Sequence, residues 1–271
     1  MQIAEPGGSI DAENFCGPKG KFSGGASDLD AADGNTMKKR TLLSWSSGKD
    51  SAWALHVLRR QSDIDVVRLF STVNQKFERV AMHAVRNELL QQQAVSVGLP
   101  IQVIPIPDPC SNAEYENIMG EFIEQAKEQR IDCIAFGDLY LEDIRKYREE
   151  KLDGTGITPI FPLWGKDTEA LSKEMLECGL RAIITCIDPR NMPADLAGKE
   201  YNASFLEQIP AGVDPCGENG EFHSFAFDGP MFKSAVNILV GETVSRDGFI
   251  FTDLIPDTEP LKTSMSKAEQ F

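Results

Sequence analysis

The sequence predicts an α/β fold: a parallel, doubly wound sheet followed by a smaller C-terminal α+β lobe. Three observations lead there. Between Thr41 and Ile187, short apolar runs of strand length alternate with longer stretches whose apolar residues recur every three or four positions. Strands and helices in that alternation imply a parallel sheet covered on both faces by crossover helices. Beyond Gly212 the pattern changes to a glycine-rich turn and β-rich runs with no helical period between them. With 271 residues, 41% hydrophobic and 25% charged, the chain has the composition and length of a globular protein with a sizeable core.

In chain order, residues 1–36 are rich in Gly, Ser, Asp and Ala, and are expected to form a disordered leader. Met37, followed by Lys38, Lys39 and Arg40, reads as the start of the folded part. Leu42, Leu43 and Trp45 form a first buried strand, and the turn Ser46 to Lys49 leads into a helix beginning near Asp50 or Ser51. A strand at 65–73 precedes a helix at 79–97, which Gly98 ends; another strand spans 101–106. Tyr115, Ile118, Met119, Phe122, Ile123 and Ala126 then carry the clearest helical stripe in the chain. Ile131 to Gly137 reads as a strand and Asp138 to Tyr147 as a helix; a further helix runs from Asp167 to Gly179, and Ala182 to Ile187 is a strand. Runs at Ala235–Val244 and Phe249–Leu254 flank Arg246-Asp247-Gly248, a hairpin signal. The expected division is a leader at 1–36, a nucleotide domain at 37–165, a substrate lobe at 166–255 and a flexible tail at 256–271.

Composition narrows the function. A net charge of −15 argues against a broad nucleic-acid surface, which needs phosphate-neutralising Lys and Arg. No apolar run approaches the roughly 20 residues of a membrane span, and the start lacks a signal peptide, so the cytoplasm is the expected location. The six cysteines form no Cys-x-x-Cys pair, which leaves no metal-ligand spacing. Cys133 and Cys186 read as buried thiols, and Cys216, in a glycine-rich loop, is a minor candidate for reactivity.

A strand, a small-residue turn and a helix N-terminus make a nest of backbone N–H groups suited to phosphate. Ser46-Ser47-Gly48-Lys49-Asp50-Ser51 has neither the Walker spacing nor the three glycines of a dinucleotide fingerprint. The plain alternative is an ordinary turn with a surface lysine. Gly137-Asp138, with Arg145 seven residues on, ends a strand at the same sheet edge. Asp138 there suits a magnesium ion or a substrate amine, or simply caps the next helix, while Arg145 can pair with Glu142 or Glu149. In Gly217-Glu218-Asn219-Gly220-Glu221-Phe222-His223, two carboxylates three residues apart can face one cavity and take a cation or proton; a polar surface turn is the alternative. His56 reads as structural, and His83 as either structural or facing the site.

The loop resembles that of the PP-loop ATP pyrophosphatases, with Ser47 where a second Gly is usual; a required positive φ would make that Ser costly. Four segments in order resemble the diphthine-ammonia ligase family: Ser46 to Ser51, Gly137-Asp138 with Arg145, Phe161-Pro-Leu-Trp164, and Gly212 to His223 continuing through Phe227-Asp-Gly-Pro230. The resemblance, over roughly residues 38–240, implies an adenine nucleotide α-hydrolase-like, Rossmann-like fold and a carboxylate-activating ligase that releases pyrophosphate on adenylation and then AMP when ammonia displaces it. It implies an ATP site of Ser44, Ser46, Ser47, Gly48, Lys49, Asp50, Ser51, Thr72 and Gly137, with the Lys49 ammonium on the phosphates. Catalytic roles fall to Lys49, Asp50, Asp138, Glu218 and Glu221, with Mg2+ on Asp50 and Asp138. Substrate contacts fall to His83, Arg145, Asn219, Gly220 and His223, with Glu218 and Glu221 steering ammonium or the trimethylammonium of diphthine. The implied partners are ATP, ammonium and an acceptor, either a modified histidine of a translation elongation factor or a small carboxylate. Another PP-loop enzyme, RNA-modifying or acting on a small molecule, and an ATP-binding regulatory module without turnover are the alternatives.

Overall fold

The computed structural model describes residues 37–76, 79–80 and 85–257. The expected leader, His83 and most of the expected tail lie outside them.

Among the described residues are ten strands and six helices; through the first half they alternate as the sequence implies: β1 (Lys39–Ser44), α1 (Lys49–Leu58), β2 (Ile64–Asn74), β3 (Arg79–Val80), α2 (Asn87–Val97), β4 (Ile101–Ile106), α3 (Asn112–Glu128), β5 (Cys133–Ala135), α4 (Glu142–Leu152), β6 (Thr158–Ile160) and α5 (Thr168–Glu177). The second half holds β7 (Arg181–Ile187), a single 3-10 turn at Ala194–Leu196, α6 (Ala203–Gln208), β8 (Phe222–Asp228), β9 (Ile238–Arg246) and β10 (Phe249–Pro256).

Strands β4, β2, β1, β5 and β6 lie side by side in parallel, and β3 joins β2 antiparallel. The chain builds outward from β1 through β2 and β4, then returns to the other side of β1 for β5. A crevice therefore opens between the C-terminal ends of β1 and β5, the place where such sheets take their ligands. Alternate residues feed the two faces. Leu43, Leu69 and Ala135 pack with α1 and α2 residues such as Leu55 and Leu89, while Leu42, Phe70 and Ile134 pack with Phe122 of α3 and Leu152 of α4. The sheet is thus doubly covered.

The second sheet is antiparallel, in the order β8, β7, β10, β9. Asp247 and Gly248 both take positive φ, 53° and 83°, as the two-residue hairpin turn between β9 and β10 requires. β7 continues the earlier strand-helix rhythm in sequence, yet it pairs with β8 and β10 rather than joining the parallel sheet. The two sheets share one core, in which Leu43 and Trp53 belong to the same buried cluster as Phe225, Phe227 and Leu254.

Local differences from the sequence reading have simple causes. The helix expected from residue 79 starts at Asn87, because Arg79 and Val80 pair with the end of β2. Asp138 is not a helix cap, since α4 starts only at Glu142 after Leu141. Helix α1 starts at Lys49 behind Gly48, which leaves Asp50 and Ser51 inside its first turn. Asp167 does cap α5, its side chain accepting from the Ala170 N–H at 2.8 Å.

Candidate functional site

The Ser46–Ser51 loop lies at the β1–β5 crevice, folded by its own side chains. Ser46 Oγ accepts from the Gly48 N–H at 3.3 Å and stands 3.2 Å from Ser51 Oγ, which donates to the Gly48 carbonyl at 3.0 Å. The first turn of α1 opens here, where N–H groups have no helical acceptors. The chain after β5 comes close, and a glycine eases the approach: a Cβ on Gly137 would stand 3.2 Å from the backbone of Asp50 and Ser51, tighter than an ordinary contact.

The C-terminal sheet holds the loop from behind. The Ser47 carbonyl accepts from the Ala226 N–H of β8 at 2.9 Å, and the Lys49 N–H donates to Ser224 Oγ at 3.2 Å. Gln93 of α2, fully buried, completes the clamp. Its Nε2 donates to the carbonyls of Ser47 and Ala226 at 2.9 and 2.6 Å, and its Oε1 accepts from the Trp45 indole at 2.8 Å. Ser47 is thereby fixed at φ 70°, the left-handed conformation that makes a glycine the ordinary choice, and its buried hydroxyl has no partner.

Lys49 is 2% exposed, and its ammonium is held by protein partners. It donates to both oxygens of Asp50 at 2.9 and 2.8 Å and to the Cys216 carbonyl, with the Tyr201 and Phe222 rings 5.6 and 5.4 Å away. Burial pulls its pKa down, but the Asp50 charge beside it prevails and the amine stays protonated, above its ordinary value. Asp50 is raised by burial against the pull of Lys49. The Gly48 and Lys49 N–H groups already have acceptors in Ser46 Oγ and Ser224 Oγ, so the loop hydroxyls and the rest of the first turn of α1 are what the crevice meets.

Two adjoining cavities open from the crevice. The smaller, about 250 Å³, is lined by Ser44, Ser46, Lys49, Asp50, Gly137, Asp138, Glu218 and their neighbours. The larger, about 690 Å³, runs between α3 and α4 and has apolar walls at Phe70, Met119, Phe122, Ile123 and Phe136, with Thr72 at its polar end. The apolar stripe of α3 therefore also walls a cavity, which is why Tyr115, Met119 and Ile123 are only half-buried.

Other expected site residues separate on inspection. Glu218 lines the smaller cavity and accepts from the Leu139 N–H at 2.8 Å; burial pushes its pKa up to about 7, helped by the charges of Asp50 and Asp138. Glu221 does not share that cavity. It is 5% exposed and braces its own turn, accepting from the Asp214 N–H and from Asn219 Nδ2 at 3.2 and 3.0 Å. The reason is local: Gly217 and Gly220, at φ 72° and 84°, curl the segment so that its two carboxylates point to different places. At Gly217 nothing larger fits, because a Cβ would stand 2.8 Å from the Phe222 carbonyl oxygen. His223 borders both cavities, and burial pushes its pKa down to about 4, so it is neutral at neutral pH. Asn219 is exposed and Gly220 half-buried, at the rim of the same turn.

Arg145 is not in either cavity. It pairs with Glu149 at 2.7 Å and lies over Phe161 and Trp164, so the Phe-Pro-Leu-Trp segment serves as its seat. Arg148 takes the place expected of it, bound to Asp138 through Nε at 2.5 Å and Nη2 at 3.2 Å. Cys216 is buried and its thiol is pushed up to about 12, which removes it as a nucleophile. Magnesium was expected on Asp50 and Asp138, but each carboxylate is already held by a cation, and no group of three acidic, His or Cys ligands exists among the described residues. The side chains present do not fit a resident ion.

Comparison with known proteins adds the family. The diphthamide synthase N-terminal domain model matches residues 37–158 and the diphthamide synthase C-terminal domain model matches residues 167–252. Similar proteins include the diphthine–ammonia ligase of Danio rerio, 30% identical over 52% of this chain and 58% of the relative. That of Bos taurus is 27% identical over 57% and 60%, and that of Homo sapiens 28% identical over 52% and 55%. The matched stretch thus spans somewhat over half the length of each relative. Among the described residues, no helix is long and apolar enough to cross a membrane.

Proposed function

The chain belongs to the diphthamide synthase family, and from that premise we propose that it is an ATP-dependent, amide-forming ligase. The observation that carries the proposal is the pair of cavities meeting at the Ser46–Ser51 loop: a small polar one on a helix N-terminus and a larger apolar one beside it. That pairing suits ATP, with its pyrophosphate end on the loop N–H groups and its base between α3 and α4.

In the first step an acceptor carboxylate oxygen attacks the α phosphorus. The new O–P bond replaces the bond to the bridging oxygen, and pyrophosphate leaves with that electron pair. In the second step ammonia attacks the acyl carbon, a C–N bond forms, and AMP departs with the electrons of the broken C–O bond. Ammonia must arrive neutral and lose a proton. Glu218 suits that task, since a carboxylate with a pKa near 7 can take a proton at neutral pH. Lys49 and Asp50, facing each other, hold the loop to the Cys216 turn, and so keep the phosphate site and Glu218 in register. Glu221 and Asn219 shape that turn. His223, neutral at the junction, offers hydrogen bonding without charge.

The acceptor we propose is the diphthine side chain named in the relatives, which bears both a carboxylate and a cation; Glu218 stands where it can meet the latter. The test is incubation of the protein with ATP, ammonium and diphthine-bearing elongation factor, read by mass spectrometry. Ammonium-dependent loss of the carboxylate with equal amounts of AMP and pyrophosphate is the expected result. ADP as product, or unchanged ATP, rejects it.

A further inference from the structure

The two cavities share five lining residues: Ser44, Ser46, Ile144, Arg148 and His223. ATP has a matching anatomy, because its α phosphate is the group between the nucleoside and the pyrophosphate. With the nucleoside in the apolar cavity and the pyrophosphate on the loop, the α phosphate must lie at this junction. Two of the five shared side chains are hydroxyls and one is a hydrocarbon. His223 is neutral at neutral pH. Arg148 is the one permanent cation of the five.

Its setting is that of a fixed group. Asp138 binds it along the Nε–Nη2 edge, at 2.5 and 3.2 Å, and its guanidinium carbon lies 4.3 Å from the centre of the Phe136 ring. A guanidinium has five N–H donors, and two are used on Asp138, so three remain for a ligand. The pairing with Asp138 costs little reach and supplies orientation.

We infer that Arg148 is the catalytic residue that contacts the α phosphate and stabilises the charge developing on it during adenylation, with Asp138 as its positioning residue rather than a metal ligand. The inference rests on the ligase reading above, and adds to it where the reacting phosphorus is held. At that phosphorus one oxygen enters and the bridging oxygen leaves, and negative charge collects on the equatorial oxygens. A preorganised guanidinium there acts without reorganisation.

Calorimetric titration of the full chain with AMP, adenosine and inorganic pyrophosphate tests this without requiring turnover. AMP differs from adenosine by the α phosphate alone. Arg148→Met keeps an unbranched apolar side chain and removes the charge; it is expected to weaken AMP binding about 10- to 100-fold while adenosine and pyrophosphate bind as in wild type. Asp138→Asn is expected to weaken AMP binding about 3- to 10-fold, again sparing adenosine. In turnover, Arg148→Ala should lower AMP formation about 100- to 1000-fold, and millimolar guanidinium should restore part of it only while Asp138 is present. If Arg148→Met binds AMP within twofold of wild type, the assignment is overturned and the ligase reading stands. If wild-type protein binds neither AMP nor pyrophosphate, both are overturned. Equal weakening of AMP and adenosine would mark Arg148 as structural and would also overturn the assignment.

Discussion

The Ser46–Ser51 loop and the Gly217–His223 segment face each other across one small cavity, yet they are built on opposite plans. The loop offers the first turn of a helix, and its side chains are mostly spent on one another or on neighbours, with Lys49 on Asp50 and the Cys216 carbonyl and Ser46 on Ser51. The segment spends its backbone and Glu221 on its own curl, and so presents one carboxyl, Glu218, in a perturbed state. Holding a phosphate needs fixed dipoles, which the chain fold can set once. Moving a proton needs a side chain whose charge can change near neutral pH.

The sharpest way to break that contrast is Glu218→Gln, which keeps the acceptor for the Leu139 N–H and removes the proton site. Amide formation should fall by about 100-fold or more while ATP affinity stays within a factor of about two, measured by turnover and calorimetry. A rate unaffected by the change would make the segment only a scaffold. The same variant carries a pH signature. Glu218 sits at about 7 in the fold against an ordinary 4.5, so its neutral form stabilises the protein fully below pH 4.5, and that contribution is lost as pH rises through 7. Glu218→Gln should therefore melt higher than wild type at pH 8 and equally at pH 4.5. At a fixed concentration of free ammonia, wild-type amide formation should rise with pH through about 7 and then level.

Gln93→Met attacks the other side, since it leaves the Trp45 indole and the Ala226 carbonyl buried without their partner. A loss of about 2–4 kcal/mol is expected in denaturant unfolding, together with weaker pyrophosphate binding. The Glu218 titration, followed by NMR, should not move. Gly137→Ala is milder: its Cβ would press on the Asp50 and Ser51 backbone at 3.2 Å, and pyrophosphate affinity should fall about tenfold, roughly 1.4 kcal/mol, with little change in melting. Ser47→Gly is the smallest. At φ 70° with an unpartnered buried hydroxyl, Ser47 is strained, and glycine should stabilise the fold by about 1 kcal/mol, read as a higher melting temperature.

How much of this was legible in the chain follows the same contrast. The loop and the parallel strands could be read because their signals are local: apolar runs, a small-residue turn, and Gly98 in the left-handed conformation at a helix end. The Asp-Gly hairpin was legible for the same reason. What lay hidden depends on distant partners. Gln93 sits on the buried stripe with Leu89, Leu90 and Ala94, so a polar residue on an apolar face was a signal, but its partners Ser47, Trp45 and Ala226 are 46, 48 and 133 residues away. Arg145 and Arg148 are three apart on one helix, and choosing between them needed the true start of α4, which lies four residues beyond Asp138. Glu221 looked equivalent to Glu218 until the positive-φ glycines around it set its direction. β7 kept the strand-helix rhythm of the first half while pairing with strands 35 and more residues onward, which no local pattern records.

The central claim is that a carboxylate is activated at the α phosphorus of ATP beside this loop. An isotope label tests it most directly: diphthine-bearing acceptor with 18O in its carboxylate, ATP and ammonium, with the AMP examined by mass spectrometry. Adenylation predicts AMP carrying one 18O for each amide formed. Unlabelled AMP, or label found in inorganic phosphate beside ADP, would contradict it.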